Sequence, residues 1–415
     1  LDFIKHTETV LKSFEIEPKP LDRIILSYNR SHPEIPSIIR RSVSEAAFGV
    51  MRWLKRLDGW LKMSGIAKIG WQERILCYIS WRKDDFKSLG VENFLEKKLI
   101  QEIFDERMPR KFPGGEASFY SYPDFLYRRM KKAYGDKTEL VARAMNDPIP
   151  PVLRVNILKI SRDKTISSLK NDGIDCEATR FSPYGIRLKE RKRIDGTALY
   201  REGALEVQDE ASQIASLLAL PRKGERLLDM CAGAGGKSLI LAMLSEEASI
   251  IATDIDSRKL KELKKRAIRA GTKSISVINI AELKSSSMDE SFDVVLVDAP
   301  CTGTGTIRRN PDLKWRIDEG TIELRIKEQI ALLNDAKRLV KKGGRIVYLT
   351  CSIIEDENED MARRFIESSS FNLQDPSPYL KRMGVDHFDQ LSHDSFLKIP
   401  PEIEKWDGFF GGIFA

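Results

Sequence analysis

The sequence predicts an α/β protein: a mainly parallel sheet wrapped by helices in the second half of the chain, preceded by a small α+β module and a helical N-terminal domain. Three observations carry that reading. From about Glu206 onward short β-rich runs alternate with helix-length stretches, the pattern of a parallel sheet covered on both faces. Between about Tyr122 and Arg201 a strand, a helix and two further strands follow one another closely. Before that, apolar residues recur at steps of three and four. The 415 residues, at roughly 100 to 200 per domain, divide as 1–121, 122–205 and 206–415.

Composition removes several classes. With 41% hydrophobic and 32% charged residues, 26 Gly and 18 Pro, the chain is neither collagen-like nor disordered. No run approaches the ~18 apolar residues of a membrane helix, and the opening LDFIKHTETV has charges and no apolar core, unlike a secretory signal. A cytosolic location is expected. Cysteines at 77, 176, 231, 301 and 351 are odd in number and lack C-x-x-C spacing, so reduced thiols are expected. The histidines at 6, 32, 387 and 393 form no ligand motif, and no metal is expected. The net charge of +7 is uneven: residues 1–200 carry +11 and residues 201–415 carry −4. Such asymmetry suits a polyanion such as RNA.

In the helical region Ser42-x-x-Glu45 reads as a capping box opening a helix through Val43, Ala46, Ala47, Val50, Met51, Leu54 and Leu57. Val91, Phe94, Leu95, Ile100, Ile103 and Phe104 suggest a second amphipathic helix. Pro, Gly, Ser and Tyr between Met108 and Tyr122 break the period and mark a boundary. In the next module VLRVNIL (152–158), CEATRF (176–181) and GIRLK (185–189) read as strands and DKTISSLKND (163–172) as a helix. Its basic tract 187–193, with Arg187, Lys189 and Arg191, near Arg154, Arg162 and Lys164, reads equally as an RNA-facing surface or as a charged edge strand that resists aggregation.

The strands expected in the last domain are RLLDM (226–230), SIIATD (249–254), SISVIN (274–279), FDVVLVD (292–298) and RIVYLT (345–350), with helices at 256–270 and 318–340. Parallel sheets of this kind bind ligands at the C-terminal ends of their strands, and the loops there are unusual. The first is Asp229-Met-Cys-Ala-Gly-Ala-Gly-Gly-Lys-Ser238, whose glycines let backbone approach a ligand at a helix N-terminus. A Walker A loop would need Gly where Cys231 stands, and a dinucleotide fingerprint would need Gly where Ser238 stands. S-adenosylmethionine fits better, with Cys231, Ala232, Gly233, Ala234, Gly235, Gly236 and Lys237 as its loop. Asp254, nineteen residues beyond Gly235, is placed to accept from ribose hydroxyls. Two further strands run into Asp298-Ala-Pro-Cys301 and Cys351-Ser-Ile. One such Cys would ordinarily be a small buried residue; two at reactive strand ends beside a nucleoside loop argue for thiol chemistry. A thiol protease would need a His, and none lies in this stretch.

LDMCAGAGGKS, VLVDAPCTGTGTIRRNPDLKW, YLTCSIIEDENE and the terminal DGFFGGIFA closely resemble the Sun-type (NOL/NOP/Sun) RNA cytosine carbon-5 methyltransferases, especially their bacterial ribosomal RNA group. PVLRVNILKISRD and ALEVQDEAS resemble the region just upstream, a small RNA-recognition-like module. The N-terminal helices are similar in position to the NusB-like domain of the bacterial members. The resemblance implies a Rossmann-like class I methyltransferase domain, S-adenosylmethionine as cofactor and ribosomal RNA as substrate, with transfer RNA as the alternative. It implies that the Thr-Cys thiol, Cys351, adds to carbon 6 of cytosine and that Cys301 helps remove the carbon-5 proton. Asp298 is then the family's acid, near cofactor or base, and Lys237 positions the base. Arg308, Arg309 and Asn310, which follow the Pro-Cys loop, are expected at phosphate or an unstacked base. A DNA cytosine methyltransferase would instead use the Pro-Cys thiol as nucleophile, and an assembly factor would keep the fold without turnover.

Two departures and one conflict stand out. Gly233 and Ala234 replace the Ala-Pro of many relatives, and Ala281 stands where the family has an acid that reads adenine, with Glu282 the neighbouring substitute. A thiol near its ordinary value of ~8.5 needs positive surroundings to ionise; the acidic run 355–357 after Cys351 opposes that unless it turns away.

Overall fold

A computed structural model describes residues 2–89, 112–245, 247–283 and 288–415. The expected helix through Val91 and Phe104 lies outside the described residues. The chain forms two compact units: residues 1–147 with 307–319, and residues 148–306 with 320–415.

The first unit is helical, with helices Asp2–Ile16, Leu21–Ser31, Ser37–Met63, Trp71–Trp81, Asp124–Tyr134 and Thr138–Asn146. Of the apolar positions read from the sequence, Val43, Ala46, Ala47, Val50, Met51 and Leu57 are buried and Leu54 is half-buried. The start of their helix is earlier than the capping-box reading. It begins at Ser37, and Ser42 sits mid-helix with its hydroxyl donating to Ile38 O at 3.0 Å. A Ser-x-x-Glu spacing is equally compatible with back-bonding inside a helix.

The segment 307–319 docks in this unit through polar anchors. Lys314 is fully buried, and its ammonium donates to Arg52 O at 3.0 Å, Ser121 O at 2.8 Å and Asn146 Oδ1 at 2.6 Å over the Tyr122 ring. Burial, then the neighbouring Arg52 charge, hold its amine well below the usual lysine range. Trp315 Nε1 donates to Met51 O at 2.6 Å, and Arg52 donates to Arg308 O at 3.0 Å.

In the second unit, strands β1 (Val152–Val155), β2 (Cys176–Ala178), β3 (Gly185–Leu188) and β4 (Leu205–Val207) form an antiparallel sheet of order β2-β3-β1-β4. The helix Arg162–Asn171 belongs to the same module, where Leu153, Val155, Leu169, Cys176, Ile186, Leu188 and Leu205 share one core. The fourth strand, β4, was not anticipated. It spans the 205/206 boundary, so the module's sheet runs into the catalytic domain's sequence.

The large sheet contains β5 (Arg226–Asp229), β6 (Ser249–Ala252), β7 (Ile275–Val277), β8 (Phe292–Asp298) and β9 (Val340–Thr350), all parallel. The antiparallel β13 (Phe409–Phe414) extends it beyond β9, followed by β12 (Phe396–Ile399) and β11 (Ser392–His393), while β10 (Leu373–Gln374) also pairs with β13. Along β8, Val294 and Leu296 enter one core with Leu227, Ile240 and Leu349, and Val295 and Val297 enter the other with Leu228, Tyr348 and Leu333. This period of two is what a sheet buried on both faces requires.

The Lys314→Met variant keeps most of the stem volume and leaves three acceptors without their donor. It is expected to lose roughly 3 kcal/mol of stability, measured by urea unfolding.

Candidate active site

The parallel strands deliver their loops to one edge. β5 ends at Asp229, paired in register with Leu296 of β8, and β8 ends at Asp298, paired with Leu349 of β9. The loop after β5 turns at Gly235, with φ 85°, into the helix Gly236–Leu244. A Cβ there would lie 2.6 Å from Leu263 Cγ, so both conformation and space require Gly. A Cβ at Gly233 would meet nothing within 4 Å, so its backbone is open to approach.

Side chains outside the loop hold it. Asp254 Oδ2 accepts from Gly233 N at 2.9 Å. Arg266 donates to Ala234 O at 2.7 Å while paired with the buried Glu206 of β4 at 2.8 Å. Arg154, 3% exposed, donates to Gly236 O at 2.8 Å and to Gln208 Oε1. Burial lowers its guanidinium to about 10, partly offset by Glu206. Arg154 is therefore a strut between β1 and the glycine loop, which corrects its assignment to an RNA-facing surface.

Asp229 is fully buried. Its Oδ2 accepts from Ser238 Oγ at 2.6 Å, and its Oδ1 has no hydrogen-bond partner. Burial pushes its carboxyl up to about 7, against the Ser238 bond. Burial also pushes the half-buried Cys231 thiol up, out of the range of a reactive thiolate. An orphan carboxylate oxygen under an open glycine loop, with Asp254 at the next strand end, suits the polar contacts of a nucleoside-containing cofactor.

The loops after β8 and β9 bring the other expected residues together. Cys301 Sγ and Cys351 Sγ are 3.4 Å apart. Contact with Cys351, then burial, raise the Cys301 thiol well above the usual thiol range. Lys237, 8% exposed, donates to Asp298 Oδ2 at 2.6 Å, with its ammonium 5.2 Å from the Phe409 ring centre. Burial alone would lower this ammonium, but the Asp298 contact and the nearby Cys351 charge outweigh it and hold it above its ordinary value. Lys237 thus lies within Coulombic reach of Cys351.

In the acidic run behind Cys351, Glu357 turns inward to the two thiol loops, and its charge adds to the rise of the Cys301 thiol. Glu357 is completely buried and spends its carboxylate on hydrogen bonds: Thr302 N at 2.8 Å, Thr302 Oγ1 at 2.5 Å, Ser352 Oγ at 2.6 Å and Gln329 Nε2 at 3.1 Å. Gln329 also donates to Pro300 O at 3.0 Å. Sequence reading had registered Glu357 only as an unwelcome charge and had missed Gln329, Glu206 and Arg266; the signal available was an acid at fixed spacing after the Thr-Cys pair. Gly305 completes the arrangement: its N donates to Cys351 O at 2.8 Å, its O accepts from Gly408 N at 2.9 Å, and a Cβ would strike the Gly408 carbonyl.

The expected RNA contacts fare differently. Arg308 is 2% exposed and donates to Ala144 O at 3.1 and 2.5 Å, so burial in the helical unit removes it from phosphate binding. Arg309 and Asn310 are half-buried in the same unit. Arg187 is turned inward to Glu210 at 3.1 Å and Glu404 at 3.2 Å, another correction: two carboxylates claim the guanidinium. Lys189 pairs with Glu177 at the exposed edge, and Arg191 is exposed. At the adenine position Ala281 is exposed, and Glu282 caps its own short helix through Asn279.

A class I Rossmann-like sheet with this glycine loop, Asp229 and Asp254 beside it and two thiols at adjacent strand ends is that of an S-adenosylmethionine-dependent methyltransferase. Comparison with known proteins specifies it further. Residues 215–415 match the family model for the 16S rRNA methyltransferase RsmB/F, and residues 122–195 match that for the RsmF/B-like ferredoxin-like domain. The chain is 32% identical over 398 residues to ribosomal RNA small subunit methyltransferase B of Photorhabdus laumondii, covering 89% of this chain and 88% of that one. It is 37% identical over 303 residues to the protein of that name from Shewanella oneidensis, covering 71% and 67%. Among solved structures it is similar to PH0851 (TM-score 0.76, 28% identity, 99% and 98% covered) and to a methyltransferase homologue from Pyrococcus horikoshii (TM-score 0.60, 26% identity, 72% and 97% covered). The chain belongs to the RsmB/F family of RNA methyltransferases.

Asp229 yields a pH test. Its folded-state carboxyl titrates near 7 and an unfolded one near ~3.9, so the folded state binds the extra proton between them. Wild-type stability is full below the lower value and lost as pH rises through the upper. Asp229→Asn keeps an acceptor for Ser238 and removes this dependence. Between pH 5 and 8 wild type is expected to lose roughly 2 kcal/mol more than the variant, read by denaturant unfolding at each pH.

Proposed function

We propose that this enzyme methylates carbon 5 of a cytosine in ribosomal RNA through a covalent bond between Cys351 and carbon 6. The observation that carries the reading is the pair of thiols 3.4 Å apart, on neighbouring strand ends beside the Lys237–Asp298 pair. The relatives named for ribosomal RNA small-subunit methylation support the substrate class.

Carbon 5 of cytosine is a weak nucleophile. Addition of the Cys351 thiolate at carbon 6 moves the ring's electron pair toward carbon 5 and makes it enamine-like. Lys237 and Asp298, paired at 2.6 Å, offer a donor and an acceptor to the amidine edge of the base. S-adenosylmethionine, held by the Cys231–Lys237 loop and Asp254, supplies an electrophilic methyl group when bound.

Release needs a base for the carbon-5 proton. While Cys351 is ionised, Cys301 keeps its proton because a neighbouring negative sulfur raises its affinity for it. Once Cys351 is bonded to carbon 6 that charge is gone, and burial and Glu357 are what still oppose ionisation; Cys301, having passed its proton to solvent, takes the carbon-5 proton as the Cys351–carbon bond breaks. The target base must leave any stack to reach these sulfurs. Arg191 and Lys189 are candidates to hold the flanking RNA.

Cys301→Ala is expected to accumulate a cofactor-dependent protein–RNA adduct that survives denaturation, with turnover down at least ~100-fold. Cys351→Ala and the double variant are expected to form none, read by gel shift after incubation with S-adenosylmethionine and unmodified small-subunit ribosomal RNA. An adduct in Cys351→Ala but not in Cys301→Ala would exchange the two roles.

A further inference from the structure

We infer that Glu357 is a positioning residue that sets the spacing of the two thiols, and that Asn358 fixes the nucleophile's backbone beside it. Glu357 bonds the residue that follows each cysteine: Thr302, through N at 2.8 Å and Oγ1 at 2.5 Å, and Ser352, through Oγ at 2.6 Å. One rigid carboxylate therefore spans both catalytic loops. Asn358 takes the two neighbours of Cys351, accepting from Thr350 Oγ1 at 2.5 Å and donating to Ser352 O at 3.0 Å. A third tie, Thr304 Oγ1 to Ser352 Oγ at 3.1 Å, closes the ring. All these groups are buried, so water does not substitute for a lost partner, and removing the carboxylate strands several donors at once. A buried carboxylate is costly to retain; here it does what an apolar filler cannot, receiving donors from two loops that the sheet alone leaves independent.

The consequence for chemistry rests on the two-thiol reading given above. Addition at carbon 6 and proton removal at carbon 5 involve adjacent ring atoms on a single base, so both sulfurs must stay within reach of it. Displacement by an ångström costs rate without weakening binding.

The test uses a reagent that measures thiol spacing without RNA. Phenylarsine oxide condenses with two nearby thiols, forming two As–S bonds and releasing one water, and singly engaged thiols bind it weakly. Full-length wild type and Glu357→Gln, which keeps the side-chain volume and the acceptor toward Thr302 N and Gln329, are expected to protect Cys301 and Cys351 together from iodoacetamide at one equivalent, read by peptide mass. Glu357→Ala is expected to need at least tenfold more reagent. Where wild type methylates RNA, kcat of Glu357→Ala is expected to fall at least tenfold, with KM for RNA and cofactor affinity within twofold and recovery in Glu357→Gln. If Glu357→Ala does not fold, Glu357→Asp, too short to span both loops, is read in the same way. Unchanged capture and turnover in the folded variant would overturn the inference. A wild type that captures arsenic yet never methylates RNA would sink the function reading and leave the spacing result standing.

Discussion

The parallel pairing of β8 with β9 is the constraint on which the active site depends. Because Asp298 lies in register with Leu349, the chain leaves both strands at the same edge and Cys301 and Cys351 emerge side by side. Parallel pairing cannot bring two consecutive strand ends together by a hairpin; it needs a long crossover, here the stretch that includes the helix Glu319–Leu339. That helix returns a second benefit through Gln329, whose side chain reaches Pro300 O and Glu357. The connection that creates the juxtaposition also stiffens it.

Closeness at the strand ends does not by itself hold two loops. Gly305 lies between the Cys351 carbonyl and Gly408, with no room for a Cβ. The strand β13, which follows Gly408, is thereby tied to the thiol loops as well as to β9. The resemblance of DGFFGGIFA to the family has this physical basis: aromatic residues fill the core, and glycines let backbones touch.

The buried charges divide by whether a partner is supplied. Lys237 and Asp298 neutralise one another, and Glu357 is surrounded by donors. Asp229 keeps one oxygen without a partner and meets burial by holding a proton more tightly. The basic residues follow the same logic. Arg154, Arg187 and Arg266 serve Gly236 O, Glu210 and Ala234 O, so part of the positive charge near the α+β module works inside the protein. A count of Lys and Arg does not measure the charge that faces RNA.

Much was legible in the sequence because local pattern and strand chemistry agree there. The sheet's five parallel strands, the glycine loop and the two thiols all follow from β-rich runs ending in Gly, Asp and Cys, since a period of two and a strand-end loop are short-range properties. The antiparallel strands β10 to β13 and β4 were not legible, because no alternation with helices marks them and they owe their state to a neighbour's edge. Nor were the partners of Arg154, Arg308 and Glu357, since the same charged side chain is surface or core depending on what the fold sets against it. The sequence by itself placed two thiols, Lys237 and Asp298 in strand-end loops; tertiary structure decided which charges are buried and how far apart the sulfurs stand, because both depend on contacts between residues distant in the chain.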